Sequence, residues 1–189
     1  MFDHIKIAEL PKIIQKTQHN GKRTYVTPEG NEYPSVTTVL GDKDKPWLND
    51  WRKMLGDKKA DRETKRCSDR GTAIHDLAEK YINNETFARK DYKPEHISDF
   101  NKLKLRLNKV NNIRSQEVGL YSDMLKIAGT VDLVADYEGV LSIIDFKTST
   151  NNKTKDMCHD YFKQCTAYAL AWHERTGEAI EDIVIIMSV

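Results

Sequence analysis

Residues 129–148 read GTVDLVADYEGVLSIIDFKT, and this stretch predicts a β-hairpin. Residues 131–135 and 140–146 are largely apolar, as expected for two strands of a buried sheet. Glu138 and Gly139 lie between the two runs and form a typical turn signal. The hairpin therefore predicts the centre of a β-sheet, and the remaining segments are interpreted from it outward.

Two aspartates interrupt the apolar runs of this hairpin. Asp132 and Asp145 fall on strands that should be buried, where a carboxylate is costly unless it is paired or holds a metal. Lys147 lies two residues after Asp145, so both side chains point to the same face of the strand. Two acids and one lysine in one place suit a divalent cation and a phosphate.

Composition narrows the class of protein. The 189 residues are 39% hydrophobic and 31% charged, which is typical of a globular domain. No apolar run reaches membrane-spanning length, and the first residues lack the apolar segment of a signal peptide. The three cysteines (Cys67, Cys158 and Cys165) show no paired spacing. We therefore expect no membrane partner, a cytoplasmic location, and neither a disulfide framework nor a four-cysteine metal cluster.

The net charge of +1 says little, but the basic residues are unevenly distributed. Residues 43–70 carry ten basic and six acidic side chains, a surplus that could follow a phosphate backbone. A solvated helical surface is the more ordinary interpretation. Trp47 and Trp51 lie four residues apart in this segment and share a helix face. They favour packing, with a platform for stacked bases as the alternative.

The order of the remaining elements predicts the fold class. Helical periodicity is strongest at 69–82, with further helices expected at 47–55, 97–110 and 157–175. Strands are expected at 113–122, in the hairpin, and at 183–189, with a smaller hairpin before residue 34. The final strand–helix–strand order predicts a single α/β domain with a central mixed β-sheet flanked by helices.

The chemistry implied by the acids is phosphodiester hydrolysis. That reaction needs a metal to neutralise the phosphate, an activated water, and a group that holds the developing charge. Mg²⁺ is usually held by one or two carboxylates together with waters and phosphate. Asp132 and Asp145 meet that need, the backbone carbonyl of Phe146 would complete the protein ligands, and Lys147 would contact the water or the phosphate.

The spacing of these residues resembles a known signature. Asp132 followed by Asp145-Phe-Lys147 is similar to the Asp…(Asp/Glu)-x-Lys motif of the PD-(D/E)xK nuclease superfamily. The segments Gly71-Thr-Ala-Ile-His75 and Gln164-Cys-Thr-Ala-Tyr168 resemble the Gly-x-x-x-His and Gln-x-x-x-Tyr motifs of its RecB-like branch. Glu117 occupies the place of an upstream acid often found in that branch. All these motifs occur in the family order.

The resemblance extends toward the N-terminus. Residues 33–40, Trp51-Arg52, and Arg70 before Gly71-Thr72 look like the small phage exonucleases and the mitochondrial genome-maintenance exonucleases of this branch. The resemblance implies a restriction-endonuclease-like fold. It divides one nuclease domain into an N-terminal hairpin and helical wall (1–68) and a catalytic core (69–189). The helical region 47–81 is expected to wall or arch over a channel for a DNA strand.

The resemblance also implies a role for each residue. The ligands of Mg²⁺ or Mn²⁺ would be Asp132, Asp145, His75 and the Phe146 carbonyl. Lys147 would be catalytic, and Glu117 would be a further catalytic acid. DNA binding would involve Arg70, Gln164, Tyr168, Trp51 and Arg52. Most have a plainer alternative: Asp132 and Asp145 as buried hydrogen-bonding residues, His75 as a core histidine, Gln164 and Tyr168 as helix-packing residues, and Glu117 as a surface strand residue.

The chain departs from the family pattern in two places. Val131 replaces the proline that gives the family its name. Some relatives hold an iron–sulfur cluster with four cysteines, and this chain has three in unsuitable places, so we expect no cluster. The leading hypothesis is a metal-dependent DNA exonuclease acting on a single strand or a free end. A structure-specific endonuclease of the same superfamily and a non-catalytic DNA-binding subunit are the alternatives.

Overall fold

Two β-sheets build the framework of the molecule. The computed structural model describes residues 1–19, 21–43 and 45–189. The smaller sheet is antiparallel, in the order β1 (Ile14–Thr17), β2 (Arg23–Val26) and β3 (Glu32–Pro34). The larger sheet has the order β4 (Val110–Ser122), β5 (Ile127–Tyr137), β6 (Val140–Thr148) and β7 (Asp182–Ser188). The expected hairpin is therefore formed by β5 and β6 at the centre of the larger sheet.

Helices accompany the larger sheet, and the last of them joins its parallel strand pair. They are α1 (Val36–Gly41), α2 (Pro46–Leu55), α3 (Asp57–Ile82), α4 (Pro94–Leu107) and α5 (His159–Thr176). The strands β4, β5 and β6 are antiparallel neighbours, whereas β6 and β7 are parallel and connected through α5. This arrangement confirms the expected α/β fold with a mixed sheet flanked by helices, consistent with a restriction-endonuclease-like fold.

The sheet separates two apolar cores. Leu133 and Ile144 pack on one side with Phe100 of α4 and the buried face of α3. Ile143 packs on the other side with Trp172 of α5. Both faces of β5 and β6 are therefore buried, which explains their nearly continuous apolar sequence. A carboxylate on these two strands has little access to water except where the sheet opens.

The larger sheet opens at one end of the hairpin. Pairing between β5 and β6 runs from Tyr137↔Val140 to Leu133↔Ile144 and then stops. Beyond that point β5 stays with β4 and β6 stays with β7, so the two central strands diverge into a fork. Asp132 and Asp145 are the first residues past the last pair. The acids thus lie at the base of the fork.

Helix α3 is longer than the sequence pattern predicts. Its expected start was residue 69, whereas the helix begins at Asp57. Only Ala60 is buried in the added turns, so no apolar stripe marks them. Polar pairs such as Arg66–Glu63 lie along this exposed part. Helix α4 ends at Leu107, before the expected residue 110, because Val110 already pairs with Tyr137 in the sheet.

The tryptophan helix does not pack as expected. Helix α2 has no buried residue, and Trp47 is 65% exposed. The packing interpretation is therefore wrong for Trp47, because the neighbouring elements leave this face of α2 in solvent. Among the described residues, no helix combines the length and apolarity needed to cross a lipid bilayer.

Candidate active site

Asp145 and Lys147 meet on the α5 face of β6, as their two-residue spacing predicts. The Lys147 ammonium donates to Asp145 Oδ1 at 2.7 Å. Gln164 Nε2 of α5 donates to the same oxygen at 3.1 Å. The Asp145 side chain is only 2% exposed, and its Oδ2 accepts no well-oriented hydrogen bond despite the nearby ammonium. Asp145 is therefore a buried carboxylate whose main counter-charge is one lysine.

Asp132 bridges the fork between the two strands. Its Oδ2 accepts a hydrogen bond from the Phe146 backbone N–H at 2.7 Å. That bond replaces the strand–strand pairing that ends one residue earlier at Leu133↔Ile144. Val131 and Leu133 belong to opposite cores, so the regular alternation of the strand is interrupted at Asp132. The carboxylate is thereby aimed into the fork instead of into either core.

Three side chains from three elements converge beside this carboxylate. His75 of α3, Glu117 of β4 and Asp132 of β5 each offer a ligand atom, and these atoms lie within 4.8 Å of one another. His75 Nδ1 is 3.9 Å from Glu117 Oε1 and 3.7 Å from Asp132 Oδ2. One imidazole and two carboxylates are a suitable donor set for a divalent metal ion.

The backbone positions Glu117 for this cluster. The pairs Gln116↔Leu133 and Val118↔Val131 flank it, so Glu117 stands level with Asp132 across the β4–β5 ladder. Glu117 has φ 45°, a left-handed conformation that costs a non-glycine residue about 1 kcal/mol or more. Such conformations concentrate at functional sites. The strain accompanies a local break in the ladder that leaves the carboxylate beside His75.

The Phe146 carbonyl contacts the histidine. His75 Nε2 lies 2.9 Å from this oxygen, and since a carbonyl only accepts, Nε2 carries the proton. Nδ1 is then the ring nitrogen that faces the carboxylates. Metal-binding histidines commonly donate their other N–H to a backbone carbonyl in this way. The structure therefore places the carbonyl, expected as a metal ligand, as a partner that orients His75.

The charges at the fork are unbalanced. Burial and, to a lesser extent, the neighbouring Asp145 charge raise the pKa of Asp132 to about 7, against the opposing effects of His75 and Lys147. Burial also raises the pKa of Asp145, although Lys147 opposes the shift. Burial lowers the pKa of His75, but Glu117 and Asp132 outweigh it and the net pKa is raised. A divalent cation would supply the missing positive charge, so the residues present fit a metal ion.

Gln164 and Tyr168 lie beneath the fork. Gln164 is 8% and Tyr168 3% exposed, so neither presents a free surface to a DNA strand. A Cβ built on Gly129 would lie 2.6 Å from the Tyr168 hydroxyl, so the tyrosine fills the space that this glycine leaves. Their expected role in orienting DNA is not supported by this placement. Gln164 supports the site through its hydrogen bond to Asp145, and Tyr168 supports it by packing against Gly129 of β5.

The arginines expected to bind DNA make internal contacts. Arg70 Nε donates to Asp99 at 2.7 Å and its Nη1 to the Ser149 carbonyl at 2.9 Å, with its side chain 12% exposed. Arg70 therefore ties α3 to α4 and to the segment after β6, one turn before His75, and offers no free guanidinium to a phosphate. Arg52 is more exposed but donates to Asp61 at 2.7 Å. Trp51 is partly buried on α2.

Sequence reasoning missed two acids beside the site, Asp76 and Glu79. An open groove next to the cluster is lined by Gly71, Thr72, His75, Asp76, Glu79 and Glu117. Burial and the nearby Glu117 charge raise the pKa of Glu79. Glu79 is four residues after His75 on α3, so helical spacing alone would have placed both on one face.

The comparison with known families agrees with this geometry. A model of the PD-(D/E)XK nuclease superfamily matches residues 50–184, more than two thirds of the chain. The chain therefore belongs to the PD-(D/E)XK nuclease superfamily. No curated protein matches the sequence.

The match covers the whole constellation at the fork. It begins in α2, ends in β7, and includes His75, Glu117, Asp132, Asp145 and Lys147. PD-(D/E)XK nucleases use divalent metal ions, and this chain has a histidine–carboxylate cluster of the required kind. The absence of the family's proline at Val131 leaves that cluster intact.

Proposed function

We propose that this PD-(D/E)XK nuclease is a metal-dependent DNA exonuclease of the RecB-like branch that acts on single-stranded ends. The observation that carries the proposal is the convergence of His75, Glu117 and Asp132 beside the buried Asp145–Lys147 pair. The ligands for a metal ion and the ammonium group for a phosphate would then lie next to each other at the fork between β5 and β6. Replication, repair or phage genome processing in the cytoplasm is the setting that fits such an activity.

The protein residues divide the work of hydrolysis. His75 Nδ1, Glu117 and Asp132 would hold Mg²⁺ or Mn²⁺, with Asp145 as a further ligand from β6. The bound ion would act as a Lewis acid and lower the pKa of a bound water. Lys147, held by Asp145 at 2.7 Å, would orient that water or stabilise negative charge on the phosphate.

The exposed segment formed by α2 and the first turns of α3, residues 46–68, supports DNA binding. Trp47 is 65% exposed on α2, and Trp51 lies one turn later. Among the described residues, Lys53, Lys58, Lys59 and Arg62 form no ion pair, so their charges are available to phosphates. Aromatic rings and unpaired basic side chains on one segment are typical of surfaces that bind single-stranded nucleic acid. Arg52 would add to this surface when DNA displaces its exposed aspartate partners.

Hydrolysis of labelled DNA tests the proposal. Linear single-stranded, linear double-stranded and closed circular DNA are incubated with Mg²⁺ or Mn²⁺, with and without EDTA. We expect nucleotide release from linear DNA only, and complete inhibition by EDTA. Lys147→Ala should reduce the rate by about 10²–10³-fold, the usual cost of one lost transition-state donor.

The matched control is Lys109→Ala, which removes a lysine bonded to Glu138 at 2.6 Å at the far end of the same hairpin. Its rate should equal that of the wild type. Cleavage of circular DNA would identify an endonuclease instead. DNA binding in EDTA without hydrolysis under any metal condition would identify a non-catalytic binding subunit.

A further inference from the structure

The first turn of α5 carries an aromatic ring between the catalytic lysine and a second lysine. The ring centroid of Tyr161 is 5.2 Å from Lys147 Nζ and 5.2 Å from Lys153 Nζ. Lys153 Nζ also donates to the Tyr161 hydroxyl at 3.2 Å. Lys153 lies in the segment between β6 and α5, so the three side chains form a continuous rim next to the fork.

The charge of Lys153 is available to a ligand. Within the part of the chain that the structure describes, Lys153 forms no ion pair with a carboxylate. The acid on the same turn of α5, Asp160, is already paired with Lys43 at 3.0 Å. Tyr161 is partly exposed, so part of its ring is accessible to a ligand. An ammonium without a carboxylate partner beside a partly exposed ring is suited to a nucleotide.

The opposite side of the site has the reverse charge. There the groove along α3 presents Glu79 and Glu117. A bound ion would offset the charge of Glu117, whereas Glu79 forms no ion pair within the described part of the chain. An anionic strand is repelled by such a carboxylate and attracted to lysines, so the potential directs it to the α5 side. Lys147 joins the two regions, because it lies at the fork and over the Tyr161 ring.

We propose that Tyr161 and Lys153 form a nucleotide-binding subsite adjoining Lys147, with an unpaired base stacked on the Tyr161 ring and its phosphate on Lys153. The inference rests on the proposed function and assigns its substrate class to single-stranded nucleic acid. A paired base inside a duplex has no free face for the ring, whereas an unpaired base has one. Lys153 contacts only a phosphate and adds affinity without selectivity.

Binding without turnover tests the subsite. Fluorescence anisotropy of a labelled oligothymidine and of a labelled blunt duplex is measured with Ca²⁺ in place of Mg²⁺. Tyr161→Leu should weaken oligothymidine binding about tenfold, within the range of one lost base–aromatic stack, and leave duplex binding unchanged. Tyr161→Phe keeps the ring and should bind as the wild type does. Lys153→Gln should weaken both ligands and reduce the salt slope for the oligothymidine by about 0.7.

The hairpin offers a matched control pair. Lys109 Nζ lies 5.9 Å from the Tyr137 ring centroid at the end of the hairpin away from the fork. Tyr137→Leu and Lys109→Gln should leave oligothymidine affinity unchanged. A Tyr161→Leu protein that binds oligothymidine like the wild type overturns the subsite. So does one that loses turnover at unchanged affinity, since the ring would then only hold Lys147.

The two proposals fail separately in these experiments. A wild-type protein that binds oligothymidine through Tyr161 but hydrolyses no DNA with Mg²⁺ or Mn²⁺ overturns the proposed function and retains the subsite. A wild-type protein that hydrolyses DNA normally but binds equally after Tyr161→Leu overturns the subsite alone.

Discussion

Strand β5 carries a largely buried aspartate at each end of the β5–β6 hairpin, and the two aspartates have different partners. Near the turn, Asp136 is 15% exposed and receives hydrogen bonds from Arg114 Nη1 at 2.6 Å and from Asn112 Nδ2 at 2.8 Å. At the fork, Asp132 is 11% exposed and receives one hydrogen bond, from the Phe146 N–H. The two carboxylates have similar burial, but an internal guanidinium neutralises only Asp136.

This difference separates a carboxylate with a full internal partner from the proposed metal ligand. A buried charge with a full internal partner stabilises one conformation and has no capacity left for a ligand. A buried charge without such a partner raises the free energy of the metal-free protein, and an ion relieves that cost on binding. Burial is similar and the residue type is the same at the two positions, so the distribution of positive charge decides which end of the hairpin has a carboxylate available to a metal ion.

The largest expected effect concerns Asp132 in metal-free protein. Its folded pKa of about 7 exceeds the ordinary aspartate pKa of 3.8, so between these two pH values the folded state retains a proton that the unfolded state has lost. Stability therefore falls as pH rises from about 4 to about 7. Asp132→Asn removes this cost and should stabilise the protein by up to about 4 kcal/mol at pH 8, with no gain at pH 3. Urea unfolding in EDTA measures both values.

An aspartate-to-asparagine substitution at the turn end of the hairpin should change the free energy of unfolding in the opposite direction. Asp136→Asn removes the charge of one of the two carboxylates paired with Arg114, the one at 2.6 Å, and should destabilise the protein at pH 8. Equal destabilisation by both substitutions would contradict the difference between the two ends. Asp132→Asn should abolish DNA hydrolysis, whereas Asp136→Asn should leave the rate per folded molecule unchanged.

The second effect concerns the partner of Asp136. Arg114→Ala leaves Asp136 and Glu178 without the guanidinium that joins them, at 2.6 and 2.9 Å. Loss of one partner of a buried ion pair costs about 3 kcal/mol, which urea unfolding should show. Adding Asp136→Ala should recover part of the loss because the unpaired charge disappears. A loss below about 1 kcal/mol would mean that water screens this pair as it does a surface pair.

The third effect is stabilisation by the metal ion. Mn²⁺ or Mg²⁺ at 100 times its dissociation constant should stabilise the folded protein by about 2.7 kcal/mol at pH 8. The gain should shrink at pH 5, because protons compete for His75 and Asp132, whose pKa values are both raised. Thermal unfolding with and without the ion measures the gain. Arg114→Ala should keep it and Asp132→Asn should lose it; an equal gain in both variants would place the ion elsewhere.

The smallest expected effect concerns two glycines, one at each end of the β5–β6 hairpin. Gly129→Ala would place a Cβ 2.6 Å from the Tyr168 hydroxyl and should cost about 2 kcal/mol through overpacking. Gly139 has φ +87°, so Gly139→Ala should cost about 1 kcal/mol through backbone strain. Thermal unfolding distinguishes the two causes. Tyr168→Phe should partly rescue Gly129→Ala and have no effect on Gly139→Ala, and rescue of both would refute the assignment.

Local periodicity predicted much of the fold. The two-residue period of a strand placed Asp145 and Lys147 together, and the helical period placed Gln164 and Tyr168 on one face of α5, which the structure shows to be buried. Helix boundaries were less accurate, because the added turns of α3 bury only Ala60 and carry no apolar stripe. The placement of Trp47 was also wrong, since the spacing of two tryptophans does not show whether another element covers them.

The amino-acid sequence alone determined which chemical groups the protein has and which local elements carry them: a hairpin with two misplaced acids, a lysine two residues on, and a histidine on a helix. Only the tertiary structure decided that Glu117 joins His75 and Asp132, that Arg70 is engaged by Asp99, and that the Phe146 carbonyl orients His75. Short-range periodicity depends on backbone geometry within one element. Contacts between elements depend instead on where the pairing of β5 and β6 ends, and so on the packing of the whole chain.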